Sequence, residues 1–111
     1  MKYQFKVYSY HPEEYRHEFY SLFDEEKVDY RRVIEETAPP PELIKDIVVF
    51  TASSLSILKI LYDFYKEIKK KKGKMVIRIN GKEFDMEAYN IEELKLKIES
   101  EFGQSTKAKD E

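Results

Sequence analysis

The stretch DIVVFTASSLSILKILYDFY, residues 46–65, constrains this chain more than any other feature, because it is mostly apolar and a lysine-rich run follows it. A segment of this kind crosses a membrane, fills a core, or offers a surface to a partner. Its length suits a span, since roughly twenty apolar residues cross the hydrocarbon. Its composition does not. Lys59 and Asp63 lie within it, and each charge near a helix centre costs about 2.5 to 3.5 kcal/mol, against about 0.3 to 0.6 kcal/mol gained per Leu, Ile, Phe or Val. A membrane partner is therefore not expected.

Placed at helical intervals, Lys45, Asp46, Ser53, Ser56, Lys59, Asp63, Lys66 and Glu67 gather on one side, and the apolar residues occupy the other. The pattern predicts one long amphipathic helix beginning near Glu42 and ending near Gly73. The stiff connector Pro39, Pro40 and Pro41 aims it, and Gly73 caps it in the left-handed conformation. The apolar arc of such a helix covers about 200°, roughly twice what one packing layer needs. Either a sheet and a second helix enclose it, or part stays exposed and docks. Heptad spacing of Leu43, Phe50, Ile57 and Phe64 offers a narrow seam. Phe50, Ile57, Leu61 and Phe64 are the expected partner-binding residues, with a protein effector or a second copy as the partner.

Around this segment the patterns are shorter. From Lys2 to Tyr10 the chain alternates, with Tyr3, Phe5, Val7 and Ser9 on one face and Lys2, Gln4, Lys6 and Tyr8 on the other, which predicts a strand. Pro12 then opens a helix over about residues 12–24, with Tyr15, Phe19, Leu22 and Phe23 as its apolar stripe. KVDYRRVIEET, residues 27–37, alternates again as a second strand. Asn80-Gly81 between two alternating runs signals a hairpin, because a two-residue type I′ turn needs positive φ at both positions. A last helix begins at IEELKLKI, with Asn90 as its cap and Glu93 three residues on. The order is β-α-β-α-β-β-α, an α+β fold with a small four-stranded sheet packed against one long and two shorter helices. One domain is expected over 1–103, followed by a disordered tail over 104–111.

Several function classes find little support. The chain has 111 residues, 20 basic against 22 acidic, and a net charge of −2, so no global field draws it to nucleic acid. It has no cysteine, hence no disulfide framework, thiol nucleophile or zinc knuckle. Its first residues alternate polar and aromatic, unlike a secretory signal, and a cytoplasmic location is expected. With three glycines and no GxSxG motif, neither a phosphate loop nor a nucleophile elbow is present. His11 and His17, six residues apart with Glu13, Glu14 and Glu18 nearby, lack the spacing of a metal motif. The pairs Glu35-Glu36 and Glu92-Glu93 read as surface charge. No cofactor and no enzymatic activity are expected. The run from Lys66 to Lys74 supplies an alternative function, binding of nucleic acid or an anionic surface through Lys69, Lys70, Lys71, Lys72 and Lys74. Without arginine or interleaved aromatics, that run makes nucleic acid the less favoured partner.

Taken in order, APPPEL, the long apolar segment, KKKKGK, the hairpin VIRINGKEFDM and the closing IEELKLKI resemble the effector-associated constant component domains of prokaryotic conflict systems. The likeness covers roughly residues 1–101 and lies in layout. Residues 42–46 carry no glycine, where the family commonly has one after its prolines. The resemblance implies a non-catalytic adaptor that recruits or regulates an effector, and it assigns no individual residue a role.

Overall fold

The computed structural model describes residues 2–34 and 43–103. The opening alternation becomes a nine-residue strand, β1 (Tyr3–His11), with Phe5, Val7, Ser9 and His11 buried and the intervening residues turned outward. Pro12, at φ −60°, leads into a 3₁₀ turn (Glu13–Tyr15) that continues as α1 (Arg16–Glu25), whose Phe19, Tyr20 and Phe23 face inward. Next come the three-residue strand β2 (Arg31–Val33), the strand β3 (Ile44–Ala52) and the helix α2 (Ile57–Lys69). The hairpin β4 (Lys74–Ile79) and β5 (Lys82–Asp85) follows, and α3 (Ile91–Ile98) ends in a π turn (Glu99–Gly103). The sheet order is β2-β3-β1-β4-β5, antiparallel throughout. The first strand of the chain therefore lies at the centre of the sheet.

The α+β class agrees with the sequence; the strand count and order do not. No single helix runs from Glu42 to Gly73. Residues 44–52 form β3, so the order is β-α-β-β-α-β-β-α with five strands. The physical reason lies in IKDIVVFTA, where Ile44, Ile47, Val48, Val49 and Thr51 are β-branched and favour extended backbone. A near-continuous apolar run fits both a helix and a buried strand, so periodicity alone does not decide between them. Pairing with β1 along nine residues, from Tyr3↔Ala52 to His11↔Ile44, decides it. Ser53 and Ser54 then bend the chain before α2, as serine does by offering its hydroxyl to nearby backbone. Of the second strand expected over residues 27–37, the described part is strand only at Arg31–Val33, and 35–37 lie outside the described residues. The triple proline and the tail at 104–111 lie outside the described residues.

All three helices contribute to one core with the inner sheet face. α2 buries Ile57, Leu58, Leu61, Phe64, Tyr65 and Ile68, one stripe at helical spacing. β1 and β3 meet them with Phe5 and Phe50, stacked at 4.8 Å. α3 adds Leu94 and Ile98. Its start is fixed by a capping box, in which Glu93 N–H donates to Asn90 Oδ1 at 2.8 Å and Asn90 N–H donates to Glu93 Oε1 at 3.0 Å. The Asn80-Gly81 turn has φ of 52° and 86°, and Ile77 stands opposite Phe84 across the hairpin.

The end of α2 corrects a smaller expectation. Lys72, not Gly73, takes the left-handed conformation, with φ 65°. Gly73 N–H donates to Ile68 O at 2.8 Å and Lys72 N–H to Lys69 O at 3.0 Å, the pair of bonds of a Schellman motif. Gly73 is needed for space. A Cβ there would lie 2.7 Å from Tyr10 O and 2.8 Å from Ile68 Cβ. Gly73→Ala must therefore part α2 from the end of β1, and we expect a loss of about 1–3 kcal/mol in urea unfolding. An unchanged midpoint would show that this approach is not close in solution.

Candidate functional site

The sheet has two unlike faces. Register places Tyr8 opposite Ile47 on one side and Val76 on the other, and Lys6 opposite Val49 and Arg78. These outward residues continue through Tyr10, Lys45 and Lys74, and across to Arg31, Glu83 and Asp85. No helix among the described residues covers this face, since α1, α2 and α3 pack with the inward residues. Among the described residues, five cations stand there against two carboxylates, although the whole chain is net acidic. Ile47 is only 1% exposed yet lies apart from the main core, enclosed on the outer face itself.

The tyrosines of β1 lie among these cations. Lys6 Nζ is 5.2 Å from the Tyr8 ring centre, the Arg78 guanidinium 5.7 Å and Lys45 Nζ 5.9 Å. Lys45 Nζ is also 5.7 Å from the Tyr10 ring. Two shallow depressions, of ≈ 450 Å³ and ≈ 320 Å³, share Lys6 and Arg78 as lining and together follow β1 from Tyr10 to Gln4. Chemically this is a trough with an aromatic floor and mainly cationic walls, in which Arg78 Nε also pairs with Glu83 Oε1 at 3.4 Å.

The inner face holds a buried polar relay where an apolar core would otherwise continue. Asp46 enters it from β3, paired in register with Ser9 of β1. The Asp46 carboxylate accepts from His11 Nε2–H at 2.8 Å, and His11 Nδ1 lies 2.6 Å from the Ser9 hydroxyl. Tyr20 OH donates to Asp46 Oδ1 at 2.9 Å, and Arg16 Nε lies 3.3 Å from the same carboxylate. Burial alone would push the Asp46 carboxyl up, but hydrogen bonds from His11, Tyr20 and Arg16, with the Arg16 charge, bring it below the usual carboxylate range. Burial, followed by the Asp46 hydrogen bond and charge, pushes the Tyr20 phenol up to about 12.

Ser9, His11 and Asp46 are the residue types of a nucleophilic triad. Their surroundings are not those of one. Ser9 and His11 are 0% exposed, and the imidazole packs against Phe19 at 5.3 Å and Phe64 at 5.8 Å, so no substrate reaches the hydroxyl. The relay ties β1, β3 and α1 together. His17 sits apart on α1, beside an open groove lined by Arg16, Tyr20, Tyr30 and Arg32 among others. Among the described residues, no three His, Asp or Glu side chains converge as a metal site.

The sites expected from the sequence are dispersed. Phe50, Ile57, Leu61 and Phe64 are 3%, 3%, 0% and 3% exposed, so all four are core residues and cannot form an open docking surface. The seam through Leu43, Phe50, Ile57 and Phe64 is lost because Phe50 belongs to a strand. The lysine run is divided. Lys69 Nζ lies 5.9 Å from the Tyr65 ring, Lys70 pairs with Glu67 at 3.6 Å, Lys71 and Lys72 follow in the turn, and Lys74 joins the outer sheet face. Tyr8 and Tyr10 had a sequence signal, as aromatics two residues apart beside Lys6 in KVYSY. Asp46 had none that local pattern could separate from a helix's polar side.

No family model matches the chain, and neither does any curated protein or solved structure. No described helix is long and apolar enough to cross a membrane.

The relay makes a pH prediction. A carboxyl whose folded value is depressed adds stability above its unfolded value, near 4, and loses it as pH falls through the lower folded value. Wild-type unfolding monitored between neutral pH and about pH 2 should show this acid loss. Asp46→Asn should cost about 1–3 kcal/mol at neutral pH and flatten the acid limb. An equally steep acid limb in the variant would place the titrating group elsewhere.

Proposed function

We propose that this chain is a non-enzymatic binding module that takes an anionic macromolecule on the open face of its sheet. The observation that carries the reading is the grouping of Lys6, Arg31, Lys45, Lys74 and Arg78 with Tyr8 and Tyr10 on the sheet face that no described helix covers, in a net acidic protein. Local fields of one sign steer and hold partners of the other sign even when net charge is small. Face-to-face pairing of two copies is disfavoured, because each would present the same cations to the other. The short edge strands β2 and β5, with their charged residues, discourage strand addition. The non-enzymatic part of the reading is supported by the enclosure of Ser9 and His11. An adaptor role, as the resemblance to effector-associated constant component domains implies, is compatible with this surface and moves docking from a helix to the sheet.

Retention on heparin at low salt tests the reading. Wild type should bind and elute with rising salt, and Lys6→Glu/Arg78→Glu should weaken retention by about tenfold or more, since each reversal replaces attraction with repulsion. Lys70→Glu/Lys71→Glu should change it little. The opposite ranking would return the function to the lysine run, and no retention of wild type would remove the anionic partner altogether.

A further inference from the structure

We infer that the occupant of the outer sheet face is a single-stranded nucleic acid, with bases stacked on Tyr8 and Tyr10 and phosphates held by Lys6, Lys45 and Arg78. This rests on the reading of that face as an anion-binding surface and names the partner. An acidic protein would use the cations but has no need of the rings. A nucleic acid strand uses both, because each nucleotide brings one planar base and one phosphate. β1 is the central strand, and Tyr8 and Tyr10 both turn outward from it, flanked by β3 and β4. Two residues along a strand span roughly 6.8 Å. That is about twice the 3.4 Å rise of a stacked duplex strand, so the rings match splayed bases.

The cations complete the match. They lie 5.2–5.9 Å from the ring centres, within reach of a phosphate attached to a base on the same ring. On binding, the flexible Lys6 ammonium group leaves a weak ring contact for a charge–charge one. The two depressions along β1, which share Lys6 and Arg78 as lining, give the backbone a path toward Gln4. A duplex does not fit this geometry, because its major groove admits a helix or ribbon that projects, and its bases are not free to stack on side chains. The lysine run lacks interleaved aromatics, whereas the sheet supplies them by placing three strands side by side.

Fluorescence anisotropy with labelled oligo(dT) and oligo(rU) of about a dozen nucleotides, titrated with the full chain, tests the inference. Binding of either strand is expected, and comparison of the two identifies DNA or RNA as the preferred source. The logarithm of affinity should fall linearly with the logarithm of salt, and Lys6→Ala should make that slope shallower by about 0.7. Tyr8→Ala and Tyr10→Ala should each weaken binding by roughly 5- to 100-fold, while Tyr8→Phe, which keeps the ring, should bind nearly as wild type. Circular dichroism confirms that each variant is folded. A duplex of the same length should compete poorly.

Three results would overturn the inference. If heparin and polyglutamate are retained through Lys6 and Arg78 while neither oligonucleotide binds, the anion-binding face stands and its ligand is an acidic protein. Oligonucleotide binding that ignores the tyrosines but is lost in Lys70→Glu/Lys71→Glu would put the strand on the lysine run. Failure of every polyanion to bind would sink this inference together with the reading beneath it.

Discussion

The nine-residue pairing of β3 along β1 is the interaction on which the rest of the structure depends. It withdraws residues 44–52 from any helix and shortens α2 to 13 residues, about 20 Å. The same pairing makes β1 a central strand with neighbours on both sides. Helix packing then covers one face, because α1, α2 and α3 present their stripes to the same layer. The other face carries aromatic and cationic side chains beside Ile47, Val49 and Val76. An antiparallel sheet tolerates such a division, since its residues alternate between core and solvent.

Register gives each face its chemistry. Inward, it sets Asp46 beside Ser9 and within reach of His11, Tyr20 and Arg16. A buried carboxylate is costly unless its oxygens are well hydrogen-bonded, and here both are. Among the described residues, no enclosed side-chain polar atom lacks a partner. A shift by one residue would turn Asp46 outward and force Lys45 or Ile47 into its place. The relay thus opposes slippage of the strand that creates the outer face. Outward, the same register brings Lys6, Lys45 and Arg78 around one tyrosine ring.

Much of the fold was legible where a local rule dominates. The alternation in YQFKVYSYH, the Asn80-Gly81 turn and the Asn90/Glu93 capping box each report geometry within a few residues. The segment 44–52 was illegible for the opposite reason. Its apolar residues satisfy a helical arc as well as a buried strand, and the deciding partner, β1, lies about forty residues earlier. Dense β-branching in IKDIVVFTA and the Ser53-Ser54 break were the available signals. Misreading that segment turned Phe50, Ile57, Leu61 and Phe64 into a surface, although in the fold they meet in one core. Of the outer trough, alternation showed only the β1 face with Lys6 and Tyr8; its other cations come from β3 and β4, and only register assembles them.

The central claim is that pairing of β3 on β1 builds a face that works in solution as a binding surface. Backbone amide chemical-shift mapping of the ¹⁵N-labelled chain during addition of oligo(rU) tests it most directly. The account predicts shifts centred on Tyr8 and Tyr10 and extending to Lys6, Lys45, Val76 and Arg78. Perturbations confined to residues 69–72 or to the exposed side of α2, or none with a strand in excess, would contradict it.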